Sequence, residues 1–550
     1  MHTHRFVSAL FAAVFTFPAF AVAQDASSTR ADAGLAVRSA LENSPTETAP
    51  DTHSAAVSSQ PPNAALTGVT IGAVLVTGAP DIAQSDFADA IAPYIGKTFS
   101  GDDTQKLLSA ISDVARDHGY IFATSSIAPQ TLAAGVLTVS IAPGRIDRVR
   151  LTGAQRKEVD SLLSPLVGKP ARQEMLDRLL MLATDFPGVS IGKVRYSVEN
   201  GQGVLIVPVE YDRVRGWASV DNSGSKALGP VRARLGVDAS ALLAADDRVT
   251  VQGIVTPLQP KELTVLYGRY AYLLPDALTE LAFSTTYGRT NSGGRWQSFD
   301  PKGNSIGFNA SVTRTLERGR NDSLWTTLDF NYVKTDQYWE GDRYQRDRIA
   351  SIGIALNGYT ALAGGRLRAG AGLRQGLTIF GATQQGDPLA SRTGAGSKYT
   401  LFRAWANWEG TLAGPISARL ALTSQLTTDP LPAIDQITIG GPYFGRGYDF
   451  SERAGDEGIL ASAELRADLL DTDSGWLRWM QLYAFGDGGD VRDLRDSYGT
   501  GDLYSSGAGA RFKLADQLRF SVEAAFPINQ PRYDAGDKSP RISASFGTEF

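Results

Sequence analysis

The sequence predicts an outer-membrane β-barrel of about sixteen antiparallel strands, preceded by two small periplasmic α+β modules. Three observations support this prediction. From residue 213 to 550, apolar and polar side chains alternate within segments of ~9–13 residues. The connections between those segments are alternately short and long. Ahead of them, residues 66–212 carry a pattern of strands and helices that occurs twice.

The composition excludes several classes of protein. With 57 Gly, 8 Trp, 19 Tyr and 23 Phe, 20% charged residues and a mean hydropathy of −0.14, the 550-residue chain is neither disordered nor a helical membrane protein. A net charge of −5 and a pI of about 5.6 argue against a nucleic-acid-binding protein. There is no cysteine, so disulfides and thiolate metal sites are excluded. Four histidines are too few for a histidine-rich metal site, and we expect neither metal nor cofactor.

The first residues have the features of a secretory signal peptide. A short, weakly basic start precedes the apolar run FVSALFAAVFTFPAFAV, and Ala21-Val22-Ala23 is a small-x-small cleavage site, so residues 1–23 are predicted to be removed rather than to anchor the chain. No other apolar run approaches the ~18 residues of a spanning helix, so any membrane span must be a barrel. Residues 24–65 are expected to form a mobile arm with at most one short helix, at 31–43. The alternative is a leader with no further role.

An internal repeat occupies residues 66–212. VLVTGA at 74–79 returns as VRLTGA at 149–154, and each copy continues with a Gly-Lys pair, a helical apolar pattern and a closing strand. We therefore expect domains at 66–144 and 145–212. Small modules with open sheet edges often bind an extended peptide as an added strand, whereas the simpler alternative is that they are spacers.

The segments after residue 213 have the pattern of barrel strands. In LRFSVEAAF at 518–526, apolar side chains alternate with Arg519, Ser521 and Glu523, as expected between lipid and a wet lumen. Strands of soluble sandwiches alternate as well, so the connections discriminate better. Short turns alternating with long polar loops are typical of an outer-membrane barrel, here at 213–550. The short turns include 273–277, 316–321 and 514–517, and the long loops include 291–304, 335–346 and 381–398.

The stretch GGPYFGRGYDF at 440–450 lies in a long connection, 428–457, after the eleventh predicted strand. Its four aromatic residues would be an aggregation liability in solvent, which favours a loop folded into the lumen. There Arg446 would need a partner, and Asp487 on the lumen face of a later strand could accept a bidentate pair. The alternative is an exposed binding loop with a solvated arginine. Room for the inward loop would come from nearby glycines: Gly486, Gly488 and Gly489.

The stretch 440–450 and the later strand segment AFGDGGD at 484–490 together resemble the Omp85 superfamily of outer-membrane assembly and secretion proteins, which pair an R-G-Y/F loop with an F-x-D-x-G strand. Gly445 stands where the family more often has an apolar residue, and we expect neighbouring aromatic residues to fill that volume. Two further stretches are similar to two-partner secretion transporters: 217–230, with its D-N-x-G-S segment, and 119–146, which resembles the end of their first POTRA domain. The resemblance covers 66–550. The matching residues are Arg446, Gly447, Tyr448, Phe485, Asp487 and Gly489 in the loop and its strand, and Asp221, Asn222, Gly224 and Ser225 in the first hairpin.

The resemblance implies a transporter of the filamentous-haemagglutinin/haemolysin type (TpsB; ShlB/FhaC/HecB), with two periplasmic POTRA domains ahead of the barrel. Such a protein carries one unfolded exoprotein across the outer membrane after binding its N-terminal secretion domain through the POTRA region, and it is not an enzyme. Outer-membrane lipid and the barrel assembly machinery would be its other partners, and nucleic acid would not. In that family an N-terminal helix plugs the resting pore, and residues 31–43 lie at the corresponding position.

Other functions stay open on the sequence alone. An Omp85-type assembly factor would usually carry more POTRA copies, a passive diffusion porin would not explain the doubled module, and a haem or siderophore receptor would need a folded plug domain. Enzymes are disfavoured, because only His53 and His118 remain after signal cleavage and no Ser/His/Asp set is visible. The Gly-Lys pairs lack the rest of a phosphate-binding loop.

Overall fold

The computed structural model describes Arg38 together with residues 56–57, 66, 68–130, 135–293, 300–472, 474–495, 499–515 and 517–550. The predicted signal peptide and, apart from Arg38, the predicted arm helix at 31–43 lie outside the described residues. Within the described ranges, no helix is both long enough and apolar enough to cross a membrane.

Residues 56–211 contain two α/β units. Their strands are β1 (Ala56–Val57), β2 (Ala73–Thr77), β3 (Thr124–Ser126), β4 (Val136–Ala142), β5 (Arg145–Ile146), β6 (Arg148–Gly153), β7 (Lys169–Pro170), β8 (Val189–Ile191), β9 (Arg195–Glu199) and β10 (Gln202–Tyr211). Their α-helices are α1 (Ala88–Ile91), α2 (Gly101–Asp117), α3 (Lys157–Leu163) and α4 (Gln173–Asp185), and short 3-10 turns lie at Gln84–Phe87, Ala92–Tyr94 and Ser164–Leu166.

The first unit packs α2 on a sheet of order β2-β4-β3. Leu107, Ile111 and Ala115 lie four residues apart on one face of α2 and are fully buried. The helix begins where the Asp103 carboxylate accepts the Ser100 backbone N–H at 2.8 Å. Hydrogen bonds from Lys97 and then from Ser100 hold the pKa of Asp103 well below its usual value, so this carboxylate is ionised at neutral pH.

The second unit repeats the arrangement of the first. In each unit the opening strand pairs in parallel with the closing strand, β2 with β4 and β6 with β10. Helix α4 buries Leu176, Leu180 and Ala183 against the second sheet. That sheet has the order β1-β9-β10-β6, so the two residues of β1, which belong to the arm, occupy its edge. An α+β region ahead of the barrel is thus confirmed.

The rest of the chain closes into a barrel of sixteen antiparallel strands, which confirms the predicted fold class. These strands are β11 (Val214–Asp221), β12 (Arg232–Ser240), β13 (Asp247–Val255), β14 (Leu263–Leu273), β15 (Thr279–Asn291), β16 (Lys302–Arg318), β17 (Ser323–Trp339), β18 (Asp342–Leu362), β19 (Gly365–Leu377), β20 (Thr400–Ala413), β21 (Ile416–Thr427), β24 (Glu457–Asp471), β25 (Leu477–Arg492), β26 (Gly501–Leu514), β27 (Leu518–Pro527) and β28 (Arg541–Glu549). A small hairpin of β22 (Ile437–Ile439) and β23 (Arg453–Gly455) lies within the connection after β21, behind a 3-10 turn at Ala433–Asp435.

Apolar and polar side chains alternate along the barrel strands, so that the barrel has an apolar outer surface and a polar lumen. On β18, Ile352, Ile354 and Leu356 occupy every second position and are all exposed on the outside. Inside, Arg374 on β19 lies 2.8 Å from the carboxylate of Asp329 on β17. Apolar residues outside and paired charges inside are what a barrel strand between lipid and water requires.

The connections follow the predicted asymmetry with one exception. The long connection after β21, the eleventh barrel strand, spans 428–456. The predicted long loop at 335–346 is wrong, because β17 continues to Trp339 and β18 begins at Asp342. With 17 and 21 residues, these strands exceed the ~9–11 residues that cross a bilayer. The polar composition of this segment therefore marks a hairpin that extends beyond the membrane.

The second α/β unit is docked on the end of the barrel that carries the short turns. Leu273 and Ala277, in and after β14, are buried in the same apolar core as Leu180 of α4. Arg318, the last residue of β16, donates from Nη2 and Nε to the carboxylate of Asp185 at 2.5 and 2.9 Å. Apolar packing and a bidentate ion pair thus join the unit to the barrel.

Candidate functional site

The connection after β21, here called the inward loop (residues 428–456), folds back along the inner wall of the barrel. Its tip turns sharply at glycines with positive φ: Gly440 at 110°, Gly441 at 109° and Gly445 at 75°. The Gly440 N–H donates to the Phe444 carbonyl at 2.9 Å, which closes the turn. These backbone conformations, which favour glycine, account for the unusual glycine content of this stretch.

Arg446, at the tip of the inward loop, reaches three carboxylates on the barrel wall. Its Nε lies 2.6 Å from Asp487 Oδ2, and its Nη1 lies 3.1 Å from Glu464 Oε2 and 2.9 Å from Glu523 Oε2. Its Nη2 donates to Ser462 Oγ at 3.1 Å. We call Arg446 and these four wall residues the anchor cluster. They come from three different barrel strands, β24, β25 and β27.

The geometry at Asp487 differs from the expected bidentate pair. Only Nε of Arg446 donates to this carboxylate, through Oδ2. The other oxygen, Oδ1, accepts the backbone N–H groups of Gly445 at 3.0 Å and Arg446 at 3.2 Å, and it also accepts the Ser505 hydroxyl. Asp487 therefore fixes the backbone of the loop tip as well as the guanidinium.

The charges around the anchor cluster are balanced by further arginines. Arg511 and Arg466 each donate to Glu464, at 2.7 and 2.6 Å. Arg446 is 7% exposed, and its guanidinium lies 3.6 Å from the centre of the Phe485 ring. A guanidinium removed from water in this way is stable only when hydrogen bonds and opposite charges surround it, and here they do.

Of the four aromatic residues in the loop, Tyr448 makes the most complete contacts. It is fully buried in an apolar cluster with Ile439 and Leu503, and partly buried Phe444 packs against the same cluster. The Tyr448 hydroxyl donates to the Asn529 side chain at 2.8 Å. Tyr443, in contrast, is 44% exposed and lines the open lumen.

The glycines of the F-x-D-x-G strand do not make room for the loop, so that expectation is wrong. A Cβ on Gly489 would meet Ile459 of the neighbouring strand, and one on Gly488 would meet Leu503 and Tyr504. A Cβ on Gly486 would meet nothing within 4 Å. The close approach is made by Gly447 of the loop itself, whose Cβ would lie 2.8 Å from the backbone nitrogen of Pro527.

The first-hairpin residues lie at the end of β11, outside the anchor cluster. Asp221 is paired with Arg234 at 2.7 Å and with Arg232 at 3.4 Å. The Ser225 hydroxyl accepts the Leu228 N–H at 3.2 Å within the loop that follows. Asn222 and Gly224 are hydrogen-bonded to β28 instead.

Sequence reasoning missed Glu464 and Glu523 as partners of Arg446. The alternation of apolar and polar side chains could have indicated both residues. Each lies on the lumen face of its strand and carries a charge that would be unfavourable in apolar surroundings. In LRFSVEAAF, Glu523 is the acidic residue of the polar face, and Glu464 stands between Ser462 and Arg466 on the same face of β24. The sequence does not show which loop approaches these two carboxylates.

Beside the tip of the inward loop the lumen holds a cavity of about 800 Å³. Arginines and carboxylates both line it, among them Arg419, Arg446 and Glu464. Arg38, from the arm, also lines it and donates from Nη2 to the Gln436 carbonyl at 2.6 Å. The arm thus reaches the lumen at this residue. Among the described residues no cluster of His, Cys, Asp or Glu could hold a metal ion.

Comparisons with known proteins agree with this architecture. A family model described as haemolysin secretion/activation protein ShlB/FhaC/HecB matches residues 201–512, and one described as POTRA domain, ShlB-type, matches residues 69–144. The outer membrane transporter CdiB of Escherichia coli is 22% identical over 495 residues, which are 85% of this chain and 80% of that protein.

Two solved structures have the same fold. CdiB from Escherichia coli superposes with a TM-score of 0.66 at 18% sequence identity, over 93% of this chain and 95% of that chain. CdiB from Acinetobacter baumannii superposes with a TM-score of 0.59 at 17% identity, over 90% and 91%. The ShlB/FhaC/HecB model alone covers more than half of the 550 residues. The chain therefore belongs to the haemolysin secretion/activation protein family ShlB/FhaC/HecB, whose members are outer-membrane transporters of two-partner secretion and not enzymes.

Proposed function

We propose that this transporter secretes one specific exoprotein in an unfolded state and recognises it through two POTRA domains, at 66–144 and 145–212. In this proposal the inward loop is held in the resting pore by Arg446 and Asp487. Gly447 and Tyr448, which follow Arg446 in the R-G-Y segment, help to hold it there. Phe485 supports the guanidinium through its ring, and Gly489 continues the same wall strand.

The anchor cluster is the observation that carries the proposal. An element meant to stay in the lumen permanently could be held by apolar packing, whereas a buried ionic cluster brings a desolvation cost and confers a defined position. Hydrogen bonds to water can replace those of the cluster once the loop moves, whereas the apolar contacts of Tyr448 with Leu503 on the wall must be broken as well. A loop seated by polar contacts suits a pore that must clear for a passing chain.

The edge of the second sheet supports recognition of an extended peptide. Strand β9 has five residues, and among the described residues Arg195 and Tyr196 pair with the arm strand β1, in parallel. This edge therefore already accepts an extended segment of the chain by backbone hydrogen bonding. An unfolded secretion domain could add to the same edge, since addition of a strand requires little sequence specificity from the backbone.

The experiment that tests the proposal is a comparison of culture-medium proteomes. Four strains are needed: wild type, a deletion of the gene, Arg446→Ala, and Arg374→Ala as the matched control. Arg374 is also a lumen arginine in an ion pair, here partly buried, and its hydrogen bonds go to Asp329 and Ser351 on the wall. Immunoblots of the outer membrane verify that each variant is inserted.

We expect one large secreted protein to disappear in the deletion and to fall strongly in Arg446→Ala, with normal secretion in Arg374→Ala. Depletion of many outer-membrane proteins in the deletion would indicate an assembly factor instead. Slower uptake of small solutes with an unchanged medium would indicate a diffusion porin. Normal secretion by an inserted Arg446→Ala variant would refute the role of the anchor cluster while leaving the exporter proposal intact.

A further inference from the structure

The barrel closes at a short seam, the pairing of its first strand β11 with its last strand β28. Only five residue pairs form there, from Trp217↔Glu549 to Asp221↔Ser545. The flanking pairings of β11 with β12 and of β27 with β28 contain eight pairs each. At the end of the seam nearer the α/β units, Gly216 and Phe550 exchange two backbone hydrogen bonds, of 2.7 and 2.8 Å. At the opposite end one backbone hydrogen bond, from the Asn222 N–H to the Ala544 carbonyl at 3.3 Å, follows the last pair.

At that opposite end, the side chain of Asn222 continues the ladder. Its Oδ1 accepts the Ala544 N–H at 2.8 Å, and its Nδ2 donates to the Ile542 carbonyl at 3.0 Å. A carboxamide presents one acceptor and donors in the same arrangement as a peptide group, so Asn222 acts here as an additional strand residue. The D-N-x-G-S segment of the first hairpin is thereby hydrogen-bonded to β28.

Arg541, the first residue of β28, connects this seam to the inward loop. Its Nη2 donates to the carbonyl of Gly224 at 3.0 Å, in the loop that follows β11. Its Nη1 donates to the carbonyl of Tyr448 and lies 3.3 Å from Asp449 Oδ1, both in the inward loop. Arg541 is 8% exposed. One buried guanidinium thus joins the last strand, the first hairpin and the loop that bears Arg446.

We propose that Arg541 is a positioning residue that couples closure of the seam to the seated position of the inward loop. If the loop leaves, Arg541 loses the Tyr448 carbonyl and Asp449, and a buried guanidinium with fewer partners stabilises the seam less. If the seam opens, the Gly224 carbonyl moves away and the loop loses support. Such a coupling is reciprocal, so each element must respond to a change in the other.

The absence of cysteine in the chain allows a direct measurement of the seam. Ser219 and Gly547 face each other across it, and a Cβ on Gly547 would lie 3.7 Å from the Ser219 Cβ, within the range for a disulfide. The variant Ser219→Cys/Gly547→Cys should therefore form a disulfide when the seam is closed. The readout is the initial rate of disulfide formation in outer-membrane vesicles under limiting oxidant.

Three changes are compared in this double-cysteine background: Arg541→Ala, Arg446→Ala, and both together. We expect each single change to lower the rate about threefold or more, as for coupled neighbours, and the combination to lower it no further than Arg541→Ala alone. Lys226→Ala is the matched control, because its Nζ also bridges the seam region, to Asp534 at 3.3 Å, without contacting the inward loop. We expect no change for that control.

Two outcomes would overturn the proposal. Either an unchanged rate in Arg446→Ala or fully additive effects of the two arginine changes would mean that seam and loop are independent. Arg541→Lys guards against misfolding of the alanine variant, because it keeps the charge but cannot reach Gly224 and the inward loop together. Heat-modifiable migration on gels identifies folded barrels. Since the rate requires no secreted protein, failure here leaves the proposed secretion function untouched.

Discussion

At the residue scale, Arg446 uses its guanidinium in a way that lysine could not. Its Nε, Nη1 and Nη2 each point to a different group on the wall, while its flat face lies against the Phe485 ring. An ammonium is a single point of charge on a flexible stem and has no flat face of this kind. Charge alone is therefore insufficient to seat the loop.

We accordingly expect Arg446→Lys to reduce secretion nearly as much as Arg446→Ala. Losing two charge-assisted hydrogen bonds destabilises the seated loop by roughly 3 kcal/mol. The amount of secreted partner per inserted barrel is the measurement. The reversed pair Arg446→Asp/Asp487→Arg should also fail, since it places a carboxylate next to Glu464 and Glu523. Secretion by Arg446→Lys at the wild-type level would contradict this account of the anchor cluster.

Asp103 offers a residue-scale prediction with a defined pH dependence. Its folded pKa is depressed by Lys97 and Ser100, so its contribution to stability is present above the unfolded pKa of about 3.9 and is lost as the pH falls through the lower folded value. Between pH 5 and 8, on this basis, the contribution is constant. Asp103→Asn should speed amide hydrogen exchange at the start of α2 equally across that range. A difference that vanished at pH 5 would contradict the assignment.

The sequence determines much at this scale, and what it leaves out has a physical cause. Arg446, Asp487 and the inward direction of the loop follow from burial arguments on single residues. Glu464 and Glu523 do not, because partners across a barrel depend on how far each strand is staggered against the next. The sequence does not predict the close approach of Gly447 to the barrel wall either, because that contact depends on two backbone segments that lie far apart in the chain.

At the element scale, alternation predicts the strands well and the loops less well. The barrel and the eleventh-strand position of the inward loop follow from periodicity and turn spacing. The prediction for the segment 335–346 fails because a hairpin whose polar side chains bind a neighbouring loop, as Gln345 binds Ser391 at 3.1 Å, has the polar composition of a loop. Its strands are held by cross-strand pairs such as Tyr344 with Gln337, at 3.0 Å, which composition alone does not reveal.

The arm strand β1 leads to an element-scale prediction. Ala56 pairs with Arg195 at the edge of the second sheet, so the variant Ala56→Cys/Arg195→Cys should form a disulfide that ties the arm to β9. If the exoprotein uses this edge, we expect secretion to fall several-fold in oxidised cells and to recover with reductant. Each single cysteine variant is the control. Undiminished secretion by the crosslinked protein would remove this edge from the recognition surface.

At the scale of the whole molecule, the second α/β unit and the barrel form a continuous packed structure. Leu273 and Ala277 of the barrel lie in the apolar core of that unit, and Arg318 adds an ion pair with the end of α4. A contact of this kind limits rotation of the unit against the barrel, whereas interfaces between domains of one chain are otherwise often mobile. Any ligand that displaced this unit would therefore also displace the turns that follow β14 and β16.

The ion pair between Asp185 and Arg318 should set how firmly the unit is held. Either alanine variant is expected to weaken the contact by about 1–3 kcal/mol, and the double variant should cost little more than either single one because both remove the same interaction. The measurement is a distance distribution between spin labels on Lys193→Cys in the unit and Asp322→Cys in the turn after β16. Both positions are exposed in the structure.

The wild-type distribution should be narrow and should broaden in Asp185→Ala and in Arg318→Ala to the same extent. Arg269→Ala provides the matched control, since Arg269 forms a comparable pair with Glu280 at 2.5 Å but lies wholly on the barrel wall. A narrow distribution in all variants would mean that Leu273 and Ala277 alone hold the unit. A broad distribution already in wild type would mean that the docked arrangement is one of several that the protein adopts.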